Sequence, residues 1–321
     1  MQDGTIKEFQ KKIIKILWET LNAMNRMLDA FFRVAKDLIV KDERVLLLFG
    51  AAGVAAPKSM ADIMKRFPER VFDAGIMEQA IVSMTAGMAI EGMIPIFYAQ
   101  SPFITERAYE QLKVDFGYQQ VRGNFVGLGA SAEIANFGTT HCSPGDISVL
   151  KQIPGMQVVV PGRITEFESL FYEAYANDSP TYYRITRYNH SYPCDVSFGK
   201  ANIMKKGKKA TIIAVGPILE LVMRAVKEED VTILYYTTVA PFDNECLKEH
   251  LSNNRVLLCE PNYYGTLTRD VISALQGEMI KMDFIGYPLE FITNYGYVTE
   301  NAEMYGFTEQ NIISKLHKLM E

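Results

Sequence analysis

The chain has 321 residues, a formal net charge of −5 and a composition that is 48% hydrophobic and 22% charged. This is the make-up of an ordinary globular chain, long enough for two cores of average size. No basic run or Arg/Lys stripe is present, which argues against non-specific binding to nucleic acid.

Residues 7–39 place Ile13, Ile16, Met24, Met27, Phe31, Ala35 and Leu38 at three- and four-residue spacing, which predicts one long helix or two in series. Strands and helices then alternate. "RVLLLF" (44–49) reads as a buried strand, followed by a helix entered at Pro57, a good first-turn residue. "RVFDA" (70–74), "MIPIFYA" (93–99), "NFVGLGA" (124–130), "QVVVPG" (157–162) and "TYYRITR" (181–187) read as strands. The segments 77–90, "ERAYEQLKVDF" and 165–176 read as the helices between them. Residues 188–207 show no period and carry Pro193, Gly199 and Gly207, so a linker is expected there. A second alternating set follows, with strands at 210–216, 231–236, 255–260 and 282–287 and a closing helix capped near Thr308. The fold class expected is α/β, with two tandem parallel-sheet domains: a helical extension over 1–40, a first domain over 41–187, and a second over 208–321.

Charges run through the first twenty residues and no small-residue cleavage site follows them, so no signal peptide is expected. The most apolar stretch, 79–99, contains Glu91, Gly92 and Pro95, which argues against a membrane span. Cys142, Cys194, Cys246 and Cys259 are scattered, without a C-x-x-C, and read as reduced thiols of a cytoplasmic protein.

Three features carry candidate chemistry. "GLGASA" (127–132) approximates a dinucleotide-binding loop, but no acidic residue ends the next strand and an irregular loop stands where a helix should start. That loop runs to Gly145 and carries His141, one of four histidines; long loops inside compact α/β domains are usually functional or mobile. Arg184 and Arg187 end a strand, where α/β folds place ligands. Glu78 is the only ionisable group of its helix until Glu91. On its own it reads more simply as a first-turn carboxylate stabilised by the helix dipole.

"RVFDAGIMEQAIVSMTAGMAIEGMIPIFYAQSPFITERAYEQLKVD" (70–115) resembles the pyrimidine-binding domain of transketolases and deoxyxylulose-phosphate synthases. The resemblance resumes at "GTTHCSPGDISVLKQIPGMQVVVPGR" (138–163) and "YYRITRYN" (182–189), and is weaker in the second domain at "TTVAPFD" and "LLCEPNYYG". The β subunits of 2-oxo-acid dehydrogenases share much of the pattern.

The resemblance implies thiamine diphosphate as cofactor, with Glu78 hydrogen-bonded to its aminopyrimidine ring. A carboxyl group used as a proton donor near neutral pH is expected to be buried without a cationic partner, and Ala80, Ser83, Ala86 and Gly87 around Glu78 fit a dry, closely packed site. It further implies that Phe103 packs on the pyrimidine and that Ile76 and Gln100 line the cofactor site. The same resemblance implies that His141 faces the substrate as hydrogen-bond partner or proton shuttle, and that Arg187 binds a sugar-phosphate anion.

The chain also departs from the family pattern. Phe137 stands where a sugar-reading aspartate is usual, Gly129 near the place of a phosphate-contacting histidine, and Gln100 in place of an aromatic; the Asp usual after the first strand is missing from "LLLFGAAG". These changes favour a less polar donor or acceptor. No G-D-G sequence, the signature that holds Mg²⁺ and the diphosphate, occurs. The resemblance is thus to the C-terminal half of a split transketolase, and implies a separate pyrophosphate-binding subunit that holds Mg²⁺, in an α2β2 heterotetramer. A 2-oxo-acid decarboxylating relative and a non-catalytic partner subunit are the alternatives.

Overall fold

A computed structural model of the protein describes residues 27–50, 58–296 and 298–321. The expected helical stretch before 27, the start of a helix at Pro57 and most of "GAAG" after the first strand lie outside them.

Helix α1 (27–41) places Phe31, Ala35 and Leu38 on one buried face, and Phe31 stacks on Tyr98 with ring centroids 5.2 Å apart. Residues 27–40, read from sequence as an extension, therefore pack into the first core. The elements that follow are β1 (Val45–Phe49), α2 (Lys58–Arg66), β2 (Val71–Asp73), α3 (Glu78–Ile90) and β3 (Ile94–Gln100). Two π-helical segments, Phe103–Arg107 and Leu112–Tyr118, flank the short α4 (Tyr109–Gln111) where one regular helix was expected. Next come β4 (Gly123–Leu128), α5 (Asp146–Leu150), β5 (Gln157–Val159), α6 (Ile164–Ala174) and β6 (Pro180–Ile185). All five residues of β1 are buried, as a central parallel strand covered on both faces requires.

The second set comprises β7 (Ala201–Lys205), β8 (Thr211–Val215), α7 (Leu219–Ala225), β9 (Thr232–Tyr236), β10 (Thr238–Ala240), α8 (Asn244–His250), β11 (Arg255–Tyr263), α9 (Thr268–Ala274), β12 (Lys281–Tyr287), α10 (Val298–Met304) and α11 (Glu309–Met320). Thr308 caps α11, its hydroxyl accepting from the Asn311 N–H at 3.2 Å.

Two sheets result. The first has the order β10-β5-β6-β4-β3-β1-β2 and the second β12-β11-β8-β9-β7. Both are parallel except at one edge, where β10 and β7 run antiparallel to their neighbours. Two segments differ from the sequence reading. The end of the expected linker forms β7, because its backbone completes the open side of β9. Strand β10 follows β9 in the chain yet joins the first sheet beside β5, tying the two sheets together. Neither strand has an apolar alternation strong enough to be seen without its partner. No helix among the described residues is long and apolar enough to cross a membrane.

Candidate active site

Strand β2 ends at Asp73, and a tight turn follows. Gly75 takes φ +80°, and its N–H donates to Asp73 Oδ1 at 2.8 Å. The turn leaves Ile76 75% exposed and swings the chain into α3 with Glu78 in its first turn. Glu78 is 1% exposed, yet the helix side that carries Ala80, Ser83, Met84 and Gly87 faces outward. One buried carboxylate thus stands at the base of an apolar, small-residue face.

Glu78 is buried as expected, but the expectation that it lacks a cationic partner is overturned. Arg107 Nη1 donates to Glu78 Oε2 at 2.8 Å, and the Arg107 guanidinium lies 4.0 Å from the Phe103 ring centroid. A buried carboxylate left alone carries a desolvation penalty of several kcal/mol, which an adjacent guanidinium offsets. The π-helical turn after β3 sets Phe103 and Arg107 one wide turn apart, so both reach the N-terminus of α3. No hydrogen bond to Glu78 Oε1 is seen among the described residues.

His141 ends a 3₁₀ turn in the long loop. Its ring meets Phe103 edge-on at 5.3 Å and Phe137 tilted at 5.4 Å. His141 Nδ1 is 3.0 Å from the Thr140 hydroxyl, which leaves Nε2 for a ligand. Burial, and then the positive charge of Arg107, lower the His141 pKa below its ordinary value, so the imidazole is neutral at physiological pH. The structure therefore joins Glu78, Phe103, His141 and Phe137 in one continuous set of contacts, with Arg107 among them.

Gln100 ends β3, and its Oε1 is buried without a hydrogen-bond partner. Arg187 is placed differently. Its Nη2 donates to the Glu133 carbonyl oxygen, and its Nε lies 4.0 Å from Glu133 Oε2. No hydrogen bond or ion pair links Arg187 to His141 among the described residues. Burial raises the Glu133 carboxyl pKa, with Arg187 the chief opposing influence.

A buried network holds these parts in register. Arg184 Nε donates to Asp146 Oδ2 at 2.7 Å, and both side chains are buried. The Ser101 hydroxyl lies 2.7 Å from the Tyr182 hydroxyl and 2.8 Å from that of Ser143. The start of the Phe103 turn, the end of the His141 loop and the end of β6 are thereby fixed to one another. The second domain closes the arrangement: Tyr263 N–H donates to the Pro144 carbonyl at 2.8 Å, and Arg184 also reaches the Pro261 carbonyl.

Sequence reasoning gave no role to Arg107, Glu133, Ser101 or Asp146. For Arg107 the available signals were its place in the "ERAYEQLKVD" part of the family resemblance and its four-residue spacing from Phe103; Glu133 gave none.

Residues 23–191 match the family of transketolase pyrimidine-binding domains, and residues 199–312 match the transketolase C-terminal domain. The chain belongs to the transketolase family. Among relatives of this transketolase-family chain, a Rhodococcoides fascians protein described as an uncharacterized 33.6 kDa protein in the fasciation locus is 31% identical over 257 residues, 79% of this chain and 82% of that one. The 1-deoxy-D-xylulose-5-phosphate synthase of Clostridium tetani is 29% identical over 91% of this chain and 48% of its own length. The chain thus spans about half the length of the synthases it matches.

In solved structures the fold matches a split-gene transketolase, described as an inactive β4 tetramer, with a TM-score of 0.79 at 23% identity, covering 92% of this chain and 97% of that one. It also matches the transketolase of Campylobacter jejuni, with a TM-score of 0.76 at 18% identity over 90% of this chain and 46% of that one. The expected pair of parallel-sheet α/β domains of this family is thereby established.

Proposed function

We propose that this chain is one subunit of a two-subunit, thiamine-diphosphate-dependent enzyme that moves a two-carbon ketol unit from a ketose-type donor to an aldehyde. The observation that carries the reading is the buried Glu78 carboxylate. One of its oxygens lacks a protein partner among the described residues, an aromatic ring stands beside it, and a neutral histidine contacts that ring. The residues fit the cofactor's pyrimidine: a protonated Glu78 Oε1 would donate to a ring nitrogen, Gln100 Oε1 would accept from the amino group, and Phe103 and Ile76 would supply apolar walls. When bound, thiamine diphosphate supplies a nucleophilic carbon that can cleave a ketose and hand its two-carbon unit to an aldehyde.

The chain's own groups orient and hold protons. His141, neutral and fixed through Nδ1, presents Nε2 to the substrate's oxygen. Glu78 sets the protonation of the pyrimidine, and Arg107 restrains the carboxylate until a ligand competes for it. The likeness to a split-gene transketolase β4 tetramer supports a separate pyrophosphate-binding subunit, to which Mg²⁺ and the diphosphate are assigned. The outward face of α3, with Ala80, Ser83, Met84 and Gly87 exposed, is the surface where that subunit approaches, in an α2β2 assembly. Four free cysteines fit a reducing compartment, and we assign the protein to the cytoplasm.

A 2-oxo acid as donor is the second reading, favoured by Phe137 beside His141 and by the engagement of Arg187 with Glu133. Calorimetry with thiamine diphosphate and Mg²⁺, on the chain alone and mixed with its pyrophosphate-domain partner, tests the proposal. Binding only in the mixture supports it, and absence of binding in both overturns it. Release of CO₂ by the mixture from pyruvate, a 2-oxo acid that carries no ketol group, decides for the second reading.

A further inference from the structure

We propose that the mouth beside His141 selects a carbonyl substrate that bears an apolar or aromatic group and no phosphate. The inference rests on the reading of the site as a thiamine-dependent transferase centre. Two independent features lead to it.

The first is the state of the cations. Three arginines approach the loop and its strand end, and each is already engaged: Arg107 and Arg184 by the buried carboxylates of Glu78 and Asp146, and Arg187 by the Glu133 backbone carbonyl, with the Glu133 carboxylate 4.0 Å from its Nε. A phosphate dianion drawing on Arg107 or Arg184 would compete with a buried carboxylate for its counter-charge, and that penalty opposes the attraction between phosphate and arginine. Recognition of an anionic group is therefore weak here.

The second is the shape and chemistry of the wall. Phe137 is 61% exposed, yet its backbone is fixed in a 3₁₀ turn: its N–H donates to the Ile134 carbonyl at 2.9 Å, and the Gly138 N–H to the Ala135 carbonyl at 2.8 Å. A rigid, exposed aromatic ring is a ready stacking platform. A second exposed aromatic, Tyr295, 69% exposed, is contributed by the segment after β12. Tyr295 lies against the residue that follows Phe137: a Cβ at Gly138, which sits at φ +91°, would come within 3.1 Å of the Tyr295 ring. Beneath the loop, Ala132, Ala135, Cys142, Tyr287 and Ile292 form one apolar cluster shared by the two domains. The loop thus presents aromatic surface on an apolar base, with His141 Nε2 as its nearby polar contact for a carbonyl.

The test uses the chain assembled with its pyrophosphate-domain partner, thiamine diphosphate and Mg²⁺. Hydroxypyruvate serves as donor, and benzaldehyde, glycolaldehyde and glyceraldehyde 3-phosphate as acceptors. The assembly is expected to favour benzaldehyde over glyceraldehyde 3-phosphate in kcat/KM. Phe137→Ala is expected to lower the benzaldehyde-to-glycolaldehyde ratio about tenfold through KM, the scale of one lost aromatic contact. Tyr295→Ala is expected to lower it less, and Phe137→Arg to shift the preference toward the phosphorylated aldehyde. Wild-type preference for the phosphorylated aldehyde, a ratio unmoved by Phe137→Ala, or bound cofactor without turnover of benzaldehyde overturns the proposal and leaves the reading of the site standing. Loss of assembly in Phe137→Ala, seen by size-exclusion chromatography, marks the ring as a subunit contact and also overturns it. Failure of the assembly to bind thiamine diphosphate at all overturns the underlying reading instead.

Discussion

Arg107 ties Glu78 to the aromatic wall of the site, donating to its carboxylate at 2.8 Å while its guanidinium lies 4.0 Å from the Phe103 ring centroid. The two residues are 29 positions apart in sequence and meet because α3 and the π-helical turn after β3 share one end of the sheet. A carboxylate held this way has its burial offset by the guanidinium until a ligand offers a better partner.

Glu78→Gln keeps the shape of the side chain and removes its capacity to carry charge or share a proton. In the two-subunit assembly proposed above it is expected to lower kcat by about 10²–10⁴-fold, the usual scale for a lost acid–base group. Steady-state kinetics beside a thermal-unfolding curve of the same variant checks it. A variant that keeps wild-type turnover returns Glu78 to a purely structural role.

Arg107→Gln removes one of the two influences that hold the His141 pKa below its ordinary value. The pKa is expected to rise, but only part of the way, because burial is the larger cause and remains. NMR titration of the His141 imidazole reads this directly. The same substitution leaves Glu78 without its partner and is expected to cost about 1–2 kcal/mol in urea unfolding, discounted because the Arg107 side chain is 39% exposed.

Arg184→Met leaves Asp146 buried and uncompensated, since the two face each other at 2.7 Å with almost no exposure. Breaking such a pair is expected to destabilise the protein by about 3–5 kcal/mol. Replacing both partners, with Asp146→Leu added, is expected to recover part of the loss. Urea midpoints for the single and double variants measure the difference.

Glu260 is expected to make stability depend on pH. Burial pushes its carboxyl up to about 8 from an ordinary 4.5, although the N–H groups of Gly265 and Leu267 donate to it at 2.6 and 2.9 Å. The raised pKa means that the folded chain binds the proton more tightly than the unfolded chain. This contribution is therefore present in full below about 4.5 and is lost as pH rises toward about 8. Glu260→Gln is expected to flatten the fall in unfolding free energy across that window, measured by urea titrations at a series of pH values.

The parts of the site that were legible in the sequence sit on elements with strong local signatures. Glu78 opens a helix otherwise free of charge until Glu91, and His141 lies in a long aperiodic loop between two strands. Both patterns survive without knowledge of any neighbour. The pairing of Arg187 with Glu133 was illegible. It depends on the loop folding back over the end of β6, and nothing within a few residues of either partner marks it.

Alternation of buried strands with helices, together with the "FDAGIMEQ" stretch, determined from sequence alone that this is a two-sheet α/β protein of the transketolase family in which Glu78 opens a helix. Such features are local, because periodicity and a helix's first turn are set by residues close in the chain. Tertiary structure alone decided where the charges went. Arg107 moved to Glu78, Arg187 to Glu133, and Tyr295 came up against the loop beside Phe137. A buried charge is neutralised by whichever counter-charge the packing brings near, and that choice is made across space by elements far apart in sequence.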